Sequence, residues 1–335
     1  MDLHIEKSRI AIIWLDSSII IKLAKLKNGR QLNPVDTDRL NRLYDVLSER
    51  VHNARLICPI AHQREEYEPK DMAEDCFRMQ QELSMGAQFL AAENIQFIQF
   101  RQAIEARNQR KRQVNVSYRD AFPCDPVILI KTGRFIPARY VTTPELSIYQ
   151  MARMKNWGNQ ELERLRTENV TNGTTFEDQL AVEHTSISQV LRKVEEDWQR
   201  LRRQGIPPGP DGIWQFLTVC SQRLNLSVPF AILADLAGGN DNFESFLRSN
   251  DFRSVPHVDI GCKLFAYLVT RNTPIRTGDA MDVQQLSVVI PYCDIVLVDN
   301  DMKDALGKHD ICQKYRCRAY TMRDLATLET YIGQL

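Results

Sequence analysis

Acidic residues close the most apolar segments of this chain. Ile12-Ile13-Trp14-Leu15 runs into Asp16-Ser17-Ser18, and Ile295-Val296-Leu297-Val298 runs into Asp299-Asn300-Asp301. A third apolar segment ends at Cys58-Pro59 and leads to Glu65 and Glu66. Gly278-Asp279-Ala280-Met281-Asp282 opens the helical pattern that precedes Ile295. If the apolar runs are parallel strands of one sheet, carboxylates from four separate stretches meet at its edge. That edge lies beyond the carboxyl ends of the strands, where open α/β sheets bind ligands. Like charges resist common ionisation, so the gathering calls for a cation. An all-oxygen donor set suits Mg²⁺ or Mn²⁺. A cation held by few carboxylates keeps open positions, at which water is activated and a leaving oxygen stabilised in phosphodiester hydrolysis.

Each carboxylate also has a plainer reading. Asp279 after Gly278 suits a helix N-cap, with Asp282 in the first turn against the helix dipole. Asp299 and Asp301 suit a turn. Glu65 and Glu66 sit in the charged stretch Gln63–Glu68, which suits a solvated helix face. Asp16 fits a structural role least, because a carboxylate closing an apolar strand seldom adds stability. Asp294 precedes its strand and falls at the opposite end, so no ligand role is expected of it.

The elements that must position these groups read as follows. Arg9–Leu15, Ala54–Cys58, Ile295–Val298 and, more weakly, Cys317–Tyr320 are short apolar runs of the buried parallel type. Asp38–Asn53 carries Leu40, Leu43, Val46, Leu47 and Val51 on one helical face, and Asp279–Ile290 and Met322–Ile332 are also helical. This alternation predicts an α/β domain made from the two ends of the chain, 1–70 and 256–335. Between them, 71–255 reads as a mostly helical insertion. It holds amphipathic helices over Glu74–Glu105, Pro144–Arg166 and Phe176–Arg203, a β-hairpin over Val127–Val141, and a loop at Gly205–Gly212.

The acidic stretches, in this order, resemble the PIN-like nuclease superfamily. The resemblance implies a Rossmann-like parallel sheet, Mg²⁺ or Mn²⁺ as cofactor, and cleavage of single-stranded or structured nucleic acid, most often RNA, leaving a 5′-phosphate. It makes Asp16 the first-strand metal ligand, and Glu65 or Glu66 the acid of the second helix. Asp282, or else Asp279, becomes the acid before the last catalytic strand, and Asp299 or Asp301 completes the set. The insertion is far longer than in minimal members and is expected to position substrate, gate access or bind a partner. Restraint by a regulatory protein, as in a toxin or antiviral defence effector, fits such nucleases. The family also includes inactive members, so a silent scaffold that binds protein or RNA is the competing expectation.

Arg101, Arg107, Arg110, Lys111 and Arg112 form one basic cluster and Arg200, Arg202 and Arg203 another. Either suits phosphate binding or a solubilising face. Tyr118 and Phe122 suit base stacking or a core. His62, four residues before Glu66, suits packing better than metal. Ser17 and Ser18 lack a nucleophile-elbow context. No P-loop and no dinucleotide glycine motif occurs. A receiver-like phosphoacceptor domain needs a lysine facing the acids from a later strand end, and Lys303 lies instead in a helical segment.

The 335 residues, 43% apolar and 26% charged, exclude a disordered or collagen-like chain. With 43 basic and 43 acidic residues, the chain is not a globally basic nucleic-acid binder. The longest apolar run near the start, Ile10–Leu15, is far too short to span a membrane and no cleavage site follows it. Eight cysteines without a CxxC pair read as free thiols of a reducing, cytoplasmic setting. Self-association stays open.

Overall fold

The computed structural model describes residues 1–60, 72–132, 148–186, 189 and 230–334. Expectations placed on His62, Glu65, Glu66, Arg200, Arg202, Arg203, the far arm of the hairpin and Gly205–Gly212 lie outside the described residues. The chain is mixed α/β. In order it forms β1 (Asp2–Glu6), β2 (Ala11–Leu15), α1 (Ser17–Lys27), α2 (Pro34–His52), β3 (Leu56–Ile57), α3 (Ala73–Ser84), α4 (Ala92–Asn108) and β4 (Gln113–Ser117). There follow α5 (Pro126–Thr132), α6 (Ile148–Asn172), a helical stretch over 176–186, α7 (Phe230–Ala237), α8 (Asn240–Leu247), α9 (Asn250–Arg253) and α10 (Pro256–Thr270). The last elements are α11 (Asp279–Val289), β5 (Ile295–Leu297), α12 (Asn300–Lys308), α13 (Ile311–Lys314), β6 (Arg318–Tyr320) and α14 (Leu325–Gln334).

Four strands form one sheet in the order β3-β2-β5-β6. All three pairings are parallel, with Ile12 opposite Ile57, Trp14 opposite Val296, and Val296 opposite Ala319. The chain starts in the middle at β2, steps to one side for β3, and returns on the other side for β5 and β6. The order therefore reverses between β2 and β5. β1 and β4 form a separate two-stranded sheet.

Every residue of β2 is buried, as expected of a central parallel strand. Ala11, Ile13, Leu15, Ile295 and Leu297 share a core with Ile19, Ile20 and Leu23 of α1, Leu40, Leu43, Leu47 and Val51 of α2, and Leu325, Leu328 and Ile332 of α14. Each Val, Leu or Ile among them contributes about 1.5–3 kcal/mol by leaving water. α2 starts where the sequence chemistry asks: Asn33 accepts a 3.0 Å bond from the Val35 N–H and Pro34 takes the first helical position.

Two local expectations change. The helix over Glu74–Glu105 is two helices, because Met85 (φ 51°) and Gly86 (φ 80°) turn left-handed and end α3. The near arm of the Val127–Val141 hairpin is helical. Asp125 accepts a 2.9 Å bond from the Val127 N–H and Pro126 opens α5, an N-cap and first-turn proline pair that outweighs the β-branched residues.

The chain divides into two compact units. One holds Met1–His4, Ala92–Asn115 and Tyr149–Val288, the other Ile5–Ala91, Val116–Ile148 and Val289–Leu335. These bounds differ from the sequence partition at 70 and 255 for packing reasons. Cys76, Met79 and Leu83 of α3 join the sheet core, whereas Val258 and Cys262 of α10 pack with Phe100, Phe246 and Phe252 in a helical core.

The helical unit buries His257. Gln99 Oε1 accepts a 2.9 Å bond from its backbone N–H and lies 3.3 Å from Nδ1, and Phe100 meets the ring edge-on with centroids 4.8 Å apart. Burial pushes the imidazole from an ordinary 6.5 down to about 3, so it stays neutral in the fold. The unfolded chain then binds more protons once the pH drops below 6.5. The stability that His257 supplies is complete above that value and is lost progressively as the pH falls toward 3. Urea titrations of the parent are expected to lose about 2 kcal/mol more between pH 7 and pH 5 than those of His257→Gln. Equal pH slopes in the two proteins would contradict a neutral buried imidazole.

Candidate functional site

The crevice between the ends of β2 and β5 is where an open parallel sheet binds ligands. Asp16 follows β2 directly, and its backbone N–H donates to the Leu297 carbonyl at 3.0 Å, continuing the pairing past the last residue of the strand. Its side chain caps α1: Oδ1 accepts a 2.7 Å bond from the Ser18 N–H. Asp299 stands two residues beyond β5 and caps α12, with Oδ1 accepting a 2.8 Å bond from the Met302 N–H. Two helices therefore begin at this edge, each with an aspartate at its start. A cap uses only part of a carboxylate's acceptor capacity.

The two aspartates interact. Burial is the largest influence on Asp16 and pushes its carboxyl above the ordinary value. The Ser18 bonds act against this, the negative charge of Asp299 adds to it, and the positive charge of Lys22 opposes it. An ionised Asp16 is thus held at a cost that a cation in the crevice would relieve. Asp301 is half-buried in the first turn of α12.

Asp279 and Asp282 open α11 in the helical unit. Asp279 is buried and ion-paired with the buried Arg271, and it also accepts a 2.8 Å bond from the Arg276 N–H. Asp294 lies at the opposite end of β5. There Oδ2 accepts a 2.8 Å bond from the Ile12 N–H, while its own N–H donates to the Ile12 carbonyl at 2.8 Å. Lys303 reaches Asp324 at 2.8 Å and so braces the 3₁₀ turn Met322–Asp324. Burial works against ionisation of Asp324, and the Lys303 and Thr321 bonds outweigh it, leaving that carboxyl below its ordinary value. Lys303 is thereby engaged by Asp324.

Of the basic residues, Arg107 is bonded to Asp251 and Ser245 at 3.0 Å each, and Arg101 pairs with Glu105 at 3.7 Å. Arg110, Lys111 and Arg112 are exposed at the corner between α4 and β4. Tyr118 and Phe122 are buried, with Phe122 stacked on Phe89 at 4.8 Å, so they serve the core rather than bases. Strand-end reasoning passes over Lys22, although the chain carries four cations and no carboxylate between Asp16 and Asp36.

Among the described residues, no group of three or more His, Cys, Asp or Glu side chains is gathered closely enough to hold a metal ion. Among the described residues, too, no helix is long and apolar enough to cross a membrane. The chain matches no family model, no curated protein and no solved structure.

Two substitutions separate the cap from the charge. Asparagine caps a helix about as well as aspartate. Asp16→Asn is therefore expected to melt above the parent at pH 7, with the gap closing as the pH falls below the carboxylate range, because the raised carboxyl costs stability only when ionised. Asp16→Ala also loses the cap, worth about 0.5–2 kcal/mol, and is expected to melt below Asp16→Asn. Calorimetric scans of the three proteins without divalent cation check the order.

Proposed function

We propose that this protein is a metal-dependent nuclease of PIN-like type, acting on RNA. The observation that carries the reading is the placement of Asp16 and Asp299 just past the carboxyl ends of adjacent parallel strands, where the strand order reverses, with the charge of Asp299 felt at Asp16. The donors are all oxygen, which fits Mg²⁺ or Mn²⁺ and not a thiolate-loving ion. Asp16 and Asp299 would hold the ion, with Asp301 in the first turn of the same helix as a further candidate. Asp279, which the resemblance also offers, is already neutralised by Arg271. When bound, the ion supplies an activated water and stabilises the departing oxygen. The protein's part is to fix the carboxylates on rigid strand ends and helix starts, so that little reorganisation is needed at reaction.

A specific observation supports the second reading, a silent scaffold that binds protein or RNA. Capping alone accounts for the type of residue at both Asp16 and Asp299. The two readings part on one experiment. Purified parent is expected to cleave labelled single-stranded RNA with Mn²⁺ and to stop with chelator. Asp16→Asn combined with Asp299→Asn, which retains both caps, is expected to lose at least a hundredfold in rate, about 2.7 kcal/mol of barrier. Mn²⁺ is also expected to raise the melting temperature of the parent and not of the double variant. Asp282→Asn, assayed alone, tests the helix carboxylate. Cleavage at the parent rate by the double variant, or no cleavage of any RNA or DNA by the parent, removes the nuclease reading.

A further inference from the structure

α1 grows directly out of the candidate site, since Asp16 is its cap. One face of the helix is committed to the core through Ile19, Ile20, Leu23 and Ala24. At 100° per residue, Ser18, Lys22 and Lys25 fall on the opposite face. Ser18 is exposed, and Lys22 and Lys25 are half-buried, a degree of burial that long aliphatic stems accommodate without loss of the charge.

The charge pattern of this segment is unlike that of the chain as a whole, which carries 43 cations and 43 carboxylates. Between Asp16 and Asp36 come Lys22, Lys25, Lys27 and Arg30, and no Asp or Glu. Two of these cations are already used. The Lys27 ammonium sits 3.5 Å from the centre of the Tyr44 ring, and Arg30 lies 3.6 Å from Asp75. Lys22 and Lys25 form no salt bridge among the described residues. A face built only for solubility would intersperse glutamates one turn away, because such pairs stabilise a helix. Instead the two lysines run in line away from Asp16. From Ser18 to Lys25 the helix rises about 10 Å, a span that takes in more than one phosphate of an extended strand.

We propose that the Lys22–Lys25 face of α1 is the track on which a single-stranded nucleic acid lays its phosphate backbone, leading the cleaved phosphate to Asp16 and Asp299. The inference rests on the nuclease reading and adds the residues that hold the strand. Lys22, the nearer of the two, also brings positive charge to the Asp16 carboxyl, easing the approach of a phosphate to an acidic crevice. Phosphate contacts of this kind position a strand without reading its sequence.

The test is fluorescence anisotropy of a labelled single-stranded RNA of mixed sequence, bound by the full chain in chelator so that no cleavage occurs. Lys22→Gln combined with Lys25→Gln is expected to bind about tenfold more weakly than the parent in about 0.1 M salt. It should also flatten the slope of log K against log salt by about 1.4, the share of two phosphate contacts on a single strand. Lys22→Arg combined with Lys25→Arg is expected to restore both quantities, which a merely structural role would not require. Calorimetry is expected to find Mn²⁺ still bound by the glutamine variant. Parent affinity and slope in the glutamine variant would overturn the track, and cleavage by the parent would then leave the nuclease reading standing. A parent that binds no RNA at any salt overturns both.

Discussion

Parallel pairing of β2 with β5 is the constraint on which the candidate site depends. Strands that run the same way deliver their carboxyl ends to the same edge, so whatever follows Leu15 and whatever follows Val298 must be neighbours. The register is held at the far end by Asp294, whose carboxylate and backbone N–H grip the N–H and carbonyl of Ile12. At the near end the Asp16 N–H continues the ladder onto Leu297. With both ends of the pairing bonded, the Asp16–Asp299 approach is a property of the sheet rather than of two loops. A one-residue slip would carry every inward side chain of β2 to the other face, which a strand packed on both sides does not tolerate.

Capping and cation binding are compatible uses of one carboxylate. A cap fixes where the side chain points, and a binding site needs that direction fixed. The conflict lies in the charge. A helix N-terminus welcomes a negative group, but burial beside a second aspartate outweighs this at Asp16 and leaves the carboxyl reluctant to ionise. The site therefore carries an electrostatic debt in the resting protein, a common sign that a position is kept for something other than stability. Asp279 shows the opposite arrangement, since its charge is cancelled by Arg271 and further satisfied by the Arg276 N–H.

Much of the sheet unit is legible in the sequence because its strands are central and buried. Ala11–Leu15 and Ile295–Leu297 have no polar residue to blur them, and Leu40, Leu43, Leu47 and Val51 mark α2 by period alone. Legibility fails where local and tertiary signals compete. Val127–Ile130 look β-prone, yet the Asp125-Pro126 pair starts a helix, a cue that weighs as much as four β-branched or aliphatic residues. The break at Met85-Gly86 rests on a single glycine inside a helical pattern. β4 offers only Val114 and Val116 as buried residues, too few for a period to emerge. The unit boundaries could not be read at all from composition, because α3 and α10 are both amphipathic and only their partners tell them apart.

Ile12 and Asp294, joined by two hydrogen bonds, stand 282 residues apart in the chain. During synthesis β2 has no neighbour on this side until the segment holding Ile295–Leu297 leaves the ribosome. Bringing such distant ends together is slow, because so much chain entropy must be surrendered before the contact rewards it. Any fragment that stops short of Ile295 lacks both the second aspartate and the strand that aligns the first. Synthesis of the Ile295–Asp299 segment thus acts as a timer on the site, and a chain released before it has half a sheet and one of the two acids.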